Sequence, residues 1–158
     1  EQSVFDQLAA YSVRVGADKF GRFDQDQPGR LVGNWFQDGV PVSEDATKGG
    51  TAGYKHLAIA YSVRNPAQLI VSIGGGLTNT GLYLPQAGFI DPTLVTPGTG
   101  MISYQLYRNI GSTVDTPSGV QSGLLLLQMA DAETLRAEFI PGAVSSGNFS
   151  ANAMIYRR

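Results

Sequence analysis

Apolar and polar residues alternate with a period of two through most hydrophobic stretches of this chain, the spacing of strands with one buried face. In residues 54–64, Leu57, Ile59, Tyr61 and Val63 share one face, while Tyr54, His56, Ala58, Ala60 and Ser62 share the other. Asn65-Pro66 is a turn signal, and Leu69, Val71 and Ile73 resume the alternation at once, which predicts a hairpin over 54–75. A second hairpin is expected over 123–140: Leu135, Ala137 and Phe139 alternate with Thr134, Arg136 and Glu138 after the Asp131-Ala132-Glu133 turn. Its first arm, Gly123 to Ala130, is apolar on both faces at its centre and is therefore expected to be covered on both sides.

Shorter segments repeat the pattern. Arg30 to Phe36 reads as a strand entered from the Gln27-Pro28-Gly29 turn, and Ile102, Tyr104 and Leu106 mark another. Residues 149–156 are expected to end the domain as a strand with Phe149, Ala151, Ala153 and Ile155 on one face. The Gly/Pro/Thr-rich stretch 76–100 holds only a short strand at Leu82-Tyr83-Leu84, because Pro85, Pro92 and Pro97 forbid a continuous central strand. Stretches 38–53 and 109–122 read as loops. Helical spacing occurs only near the start, where Val4, Leu8 and Tyr11 follow a Ser3/Asp6 capping pair and predict a helix over 4–12.

Seven or eight strands in sequence, with no helices between them to build parallel crossovers, predict an all-β fold. An antiparallel meander that closes, or partly closes, into a β-barrel is the simplest arrangement, with a two-sheet sandwich as the alternative. One domain over 1–158 accounts for the pattern. The expected core is Trp35, Leu57, Ile59, Leu69, Val71, Leu125, Leu127, Leu135, Phe139 and Ile155.

Composition narrows the functions. Charged residues make up only 15% of the chain, against roughly 25% in an average globular protein, so the surface is polar rather than ionic. Net charge is −2 and Arg157-Arg158 is the only adjacent basic pair, which argues against nucleic acid as a partner. No apolar run approaches the ~20 residues of a membrane-spanning helix, so no transmembrane segment is expected. The absence of cysteine removes disulfides, thiolate metal sites and thiol nucleophiles. Few lysines beside much Gly, Thr and Asn point to an exported, extracellular or periplasmic protein, and a start at Glu1 suits processing after a targeting segment.

His56 is the only histidine, so any Ser-His-Asp triad or imidazole-bound metal must run through it. No G-x-S-x-G accompanies it. With Tyr54 it forms the candidate ligand-binding pair, provided their face of the strand lines a barrel interior; the plain alternative is a surface or structurally satisfied histidine. Asp24-Gln25-Asp26-Gln27-Pro28-Gly29 begins like a calcium loop, but Pro28 replaces the third ligand and Trp35 stands where the closing Glu belongs. No metal and no cofactor are expected. Gly74-Gly75-Gly76 lacks phosphate-loop spacing and serves to end a strand, and Asn148-Phe149-Ser150 is an isolated glycosylation sequon.

Gly33-Asn34-Trp35 resembles the G-x-W that opens lipocalin and other calycin barrels. The resemblance implies a Trp closing one barrel end beneath an Arg from the last strand, here Arg157 or Arg158. The chain departs from that family in its leading helix and its lack of cysteines; an ordinary core Trp is the alternative.

Three functions fit these residues. A non-catalytic binding or accessory barrel module, taking a small-molecule or protein ligand on its loops or in its mouth, comes first. A self-associating structural subunit, hence a homo-oligomer, comes second. A small barrel enzyme of isomerase or cyclase type, using His56 or a tyrosine, comes third.

Overall fold

The alternating segments pair in the order in which they occur. The computed structural model describes residues 25–40, 55–78 and 80–158. Its strands are β1 (Gly33–Gln37), β2 (His56–Tyr61), β3 (Leu69–Ile73), β4 (Gly81–Pro85), β5 (Ile102–Asn109), β6 (Pro117–Met129), β7 (Thr134–Pro141) and β8 (Met154–Arg157). Each is antiparallel to the next, and β8 pairs with β1 through Phe36↔Arg157 and Gln37↔Tyr156 to close an eight-stranded barrel. Closure leaves the sheet without a free edge along the paired length, as an up-and-down barrel requires. The expected N-terminal helix lies outside the described residues.

Parity along each strand decides which side chains fill the barrel. Trp35, Leu57, Ile59, Val71, Ile73, Tyr83, Tyr104, Leu106, Leu125, Leu127, Leu135 and Tyr156 all belong to one buried cluster. The register Leu57↔Ile73, Ile59↔Val71, Tyr61↔Leu69 places the first hairpin as its sequence predicts. Leu125↔Phe139 and Leu127↔Ala137 do the same for the second.

β6 is covered on both sides, as its unbroken leucine run implies. Leu125 and Leu127 face the interior, yet the outward Leu124 and Leu126 are also fully buried. Their cover is the segment between β7 and β8, whose Gly147 lies against the side chains of Ile140, Leu124 and Leu126. Two contacts hold this strap. Glu138 accepts hydrogen bonds from the Ser150 amide (2.6 Å) and hydroxyl (2.5 Å), and the Arg136 guanidinium stacks 4.3 Å from the Phe149 ring.

That strap corrects the expected last strand. Only Met154–Arg157 joins the ladder, because the amide of Ser150 is spent on a side chain of the neighbouring strand. The parity shifts with it: Ile155, expected in the core, points outward and is 37% exposed, while Tyr156 takes the buried place. The stretch 117–122, expected as loop, instead extends β6 beside β5, pairing Tyr107↔Gln121 and Asn109↔Pro117 with the extra residues bulging from β6.

One end of the barrel is sealed. The Trp35 indole donates to the Leu31 carbonyl (2.9 Å), and the Arg158 guanidinium lies 3.8 Å from the Trp35 ring centre. Arg158 also donates to the carbonyls of Gln27 (2.8 Å), Arg30 (2.9 Å) and Val32 (3.2 Å), binding the end of the last strand to the entry of the first. The relation of Gly33, Trp35 and an arginine implied by the calycin resemblance is therefore present, with Arg158 as the arginine. Arg157 instead pairs with Asp38 (3.0 Å).

Gly33 has its own reason. Its φ of +126° suits glycine, and the Asp26 carboxylate occupies the space a Cβ would need while accepting from the Asn34 amide (2.5 Å). The loop between β4 and β5 completes the seal through backbone bonds from Leu31 to Val95 and from Val32 to Pro92. Tyr61 donates to Asp91 and Tyr104 to the Ile90 carbonyl, both at 2.8 Å. Burial alone would raise the Asp91 carboxyl, but hydrogen bonds from Thr93 and Tyr61 hold it below its usual range.

Candidate functional site

The opposite end carries the end of β1 and the β3–β4, β5–β6 and β7–β8 connections. Its walls follow from parity. Tyr83 on β4, Leu106 on β5 and Tyr156 on β8 belong to the buried interior, with Leu77, Phe139 and Met154 packed partly buried against it. The Tyr83 and Phe139 rings meet in a tilted arrangement with centroids 6.2 Å apart. This apolar barrel end is built from β4, β5, β7, β8 and the β3–β4 connection.

Three polar groups stand in it. The first two, Gln37 and Tyr156, are cross-strand partners on β1 and β8 and point inward together. The Gln37 Oε1 and the Tyr156 hydroxyl are both buried and without a hydrogen-bond partner. Tyr156 has no exposed surface, and burial pushes its phenol up to about 12. A buried polar atom left unpaired costs roughly 1–3 kcal/mol, so two side by side in a core are a standing deficit.

The β3–β4 loop crosses directly over them. Gly76 has φ +86°, and a Cβ there would sit 2.8 Å from Gln37 Oε1, 3.5 Å from the Tyr156 hydroxyl and 3.6 Å from the Met154 sulfur. The glycine backbone thus packs against both unpaired atoms, and a larger residue would have to displace Gln37.

The third group is Arg108. Its Cα partner is Tyr83, so it shares the inward parity of Tyr104 and Leu106. The guanidinium lies over Gly81, where a Cβ would be 3.2 Å away, and 5.9 Å from the Tyr83 ring centre. It donates once, to the Thr80 carbonyl at 3.3 Å. Among the described residues no carboxylate pairs with it. A guanidinium has five N–H donors and Arg108 is exposed, so most of its capacity is left to solvent.

The residues singled out from sequence lie elsewhere. His56 sits on the outer face of β2, since its neighbour Leu57 is the one that points inward. The condition that its face line the interior is not met. His56 Nε2 and Ser72 Oγ are 3.1 Å apart across β2 and β3. Both border an open surface depression of about 410 Å³, lined also by Ile73, Gly74, Thr80, Gly81 and Leu82. Tyr54 and Asp24 lie outside the described residues. Asp26 is engaged with the Asn34 amide, and no group of three or more His, Asp or Glu side chains suited to a metal occurs among the described residues.

Gln37, Arg108 and Tyr156 escaped the sequence reading, although a signal was there. Arg108 continues the inward series Ile102, Tyr104, Leu106, and Gln37 falls two residues after Trp35.

No family model, no curated protein and no solved structure matches the chain.

Proposed function

We propose that this protein is a non-catalytic binding module, exported from its cell, that takes a small ligand at the end of its barrel opposite Trp35. The observation that carries this reading is the pair of buried, unpartnered polar atoms, Gln37 Oε1 and Tyr156 OH, set among apolar side chains. A pocket of hydrophobic and aromatic side chains with a few convergent polar groups is the common form of a small-molecule site. Eight strands give a barrel interior wide enough for core side chains or one small ligand. Few lysines beside much Gly, Thr and Asn suit an exported domain.

The test is a fragment screen followed by amide chemical shifts. Small apolar acids, alcohols and amides are expected to move resonances of Gln37, Gly76, Leu77, Arg108, Phe139 and Tyr156. Shifts centred on His56, Ser72 and Leu82 would move the site to the outer depression. No shifts at any concentration would remove the binding reading.

One observation favours self-association as a second reading. The first half of β6, Pro117–Ser122, pairs with β5 while its β7 partner begins only at Gly123↔Pro141. Val120, Val114 and Ile110 beside this edge are 75%, 69% and 66% exposed. Unpaired strand backbone with apolar side chains templates pairing between chains. Sedimentation velocity of the protein and of Val120→Lys tests it: a dimer lost on substitution supports the reading, and a monomer in both removes it.

A further inference from the structure

The strap over β6 is held differently from the strands it covers. Residues 142–153 join no ladder, so β7, β8 and β1 keep their register whether the strap lies down or lifts. Its first end is tied by the Gly142 amide to the Ser122 carbonyl (3.0 Å) and by the Gln121 side chain to the Val144 carbonyl (2.7 Å). Its middle carries no such tie. Ser145, Ser146, Gly147 and Asn148 make no hydrogen bond among the described residues, and Gly147 lays bare backbone on Ile140, Leu124 and Leu126. The second end hangs on two side chains of β7. Glu138 accepts from the Ser150 amide and hydroxyl, while Arg136 stacks on Phe149 and donates to the Ser150 carbonyl at 3.4 Å. Glu138 is only 5% exposed, so the two Ser150 bonds stand in for the water its charge has lost.

Among the described residues packed here, charge is confined to β7. The strap, β6 from Ser118 to Met129, and Met154 and Ile155 of β8 carry none. Arg136 stays cationic at every pH of interest and keeps its place on Phe149, so only Glu138 changes state. We infer that the strap is an acid-released cover: protonation of Glu138 frees the Phe149–Ser150 end and bares Leu124, Leu126 and Ile140 while the barrel stays closed. A carboxylate offers acceptors to both Ser150 donors. The neutral acid turns one oxygen into a donor and gives up the charge-assisted strength of both bonds. The Ser150 hydroxyl and amide, helped by Arg136, hold the carboxyl below its usual range. The latch is therefore shut at neutral pH and weakens as pH falls through that lowered value. What opens is an apolar strip on the outside of the barrel, where Leu124 pairs with Ile140 and Leu126 with Glu138, and it is independent of the barrel-end site.

Titration of the whole chain from pH 7 to pH 3 tests the inference through amide chemical shifts and the fluorescence of anilinonaphthalene sulfonate. The Ser150 amide resonance should move with a midpoint below 4.5, the ordinary value for a Glu carboxyl. Dye fluorescence should rise about threefold at the same midpoint as apolar surface is bared, with Trp35 emission unmoved. Glu138→Gln should bind the dye at pH 7 and show no further step on acidification. Ser150→Ala keeps the amide bond but loses the hydroxyl, and should carry the midpoint to higher pH. Gly147→Val should raise dye binding at every pH, because its Cβ meets Ile140. A Ser150 shift without dye binding would overturn the release. Dye binding that appears only with a red shift of Trp35 would mean that the barrel itself unfolds in acid, which overturns it equally. An acid step that persists in Glu138→Gln, or a midpoint unmoved in Ser150→Ala, would take the latch away from Glu138.

Discussion

Replacing Tyr156 with Phe should make the empty protein more stable, an outcome opposite to that of most core substitutions. The Tyr156 ring has no exposed surface, and its hydroxyl is sealed from solvent with no partner. An unsatisfied buried hydroxyl costs about 1–3 kcal/mol, and removing it leaves a gap of one oxygen atom in which a little dispersion energy is lost. The net expectation is a gain of about 1 kcal/mol, or roughly 2–4 °C in Tm for a chain of this size. Urea unfolding should show a higher midpoint at unchanged slope. The alkaline limb supplies a second readout. The folded-state phenol is raised from 10.0 to about 12, so its contribution is full below pH 10 and is lost as pH rises through 12. Tyr156→Phe should flatten that loss in part, since burial also raises Tyr61 and Tyr104. A loss of more than 1 kcal/mol on substitution would show that the hydroxyl is bonded in solution, and the argument from an unpaired polar pair would fail.

Other expectations follow from the same geometry. Leu127→Ala should cost about 2–5 kcal/mol in urea unfolding, because Leu127 is fully buried and its removal leaves a cavity. A cost below ~1 kcal/mol would place it outside the core. Arg158→Ala should cost roughly 2–4 kcal/mol and red-shift Trp35 emission, since three carbonyl bonds and the stacking on Trp35 are lost together. Unchanged emission would show that the end is sealed without it. Hydrogen bonds from Ser150 hold the Glu138 carboxyl below its usual 4.5, so its contribution is present above that pH and fades as pH falls through the lowered value. Glu138→Gln should therefore be less stable than wild type at pH 7 and closer to it at pH 3; a constant difference would contradict the linkage.

The barrel was legible in the sequence where strands are amphipathic and turns are short. Residues 54–75 carry both signals, and the two-faced apolar run of β6 announced a cover before the strap was seen. Legibility failed where a non-local bond decides local structure. Nothing near Ser150 says that its amide bonds Glu138, twelve residues earlier, yet that bond keeps Phe149 out of the last strand and sets the parity that buries Tyr156. Composition misled at 117–122, where Pro, Ser and Gly spell a loop but pairing with β5 makes a strand. Half of the Trp35–Arg158 closure was visible, since G-x-W and a terminal arginine can be read off, though the choice between Arg157 and Arg158 needs the end of β8. The mouth was least visible. Gln37 and Tyr156 lie on β1 and β8, which adjoin only once the barrel closes. His56 drew attention by its chemistry and by being the only imidazole, but parity turns it outward.

The most direct measurement is a crystal structure of the protein soaked with the fragments that bind it in solution. The account predicts density at the barrel end opposite Trp35, with a polar atom of the fragment within hydrogen-bond distance of Gln37 Oε1 and the Tyr156 hydroxyl. An empty mouth with density at His56 and Ser72, or no density on the protein at all, would contradict it.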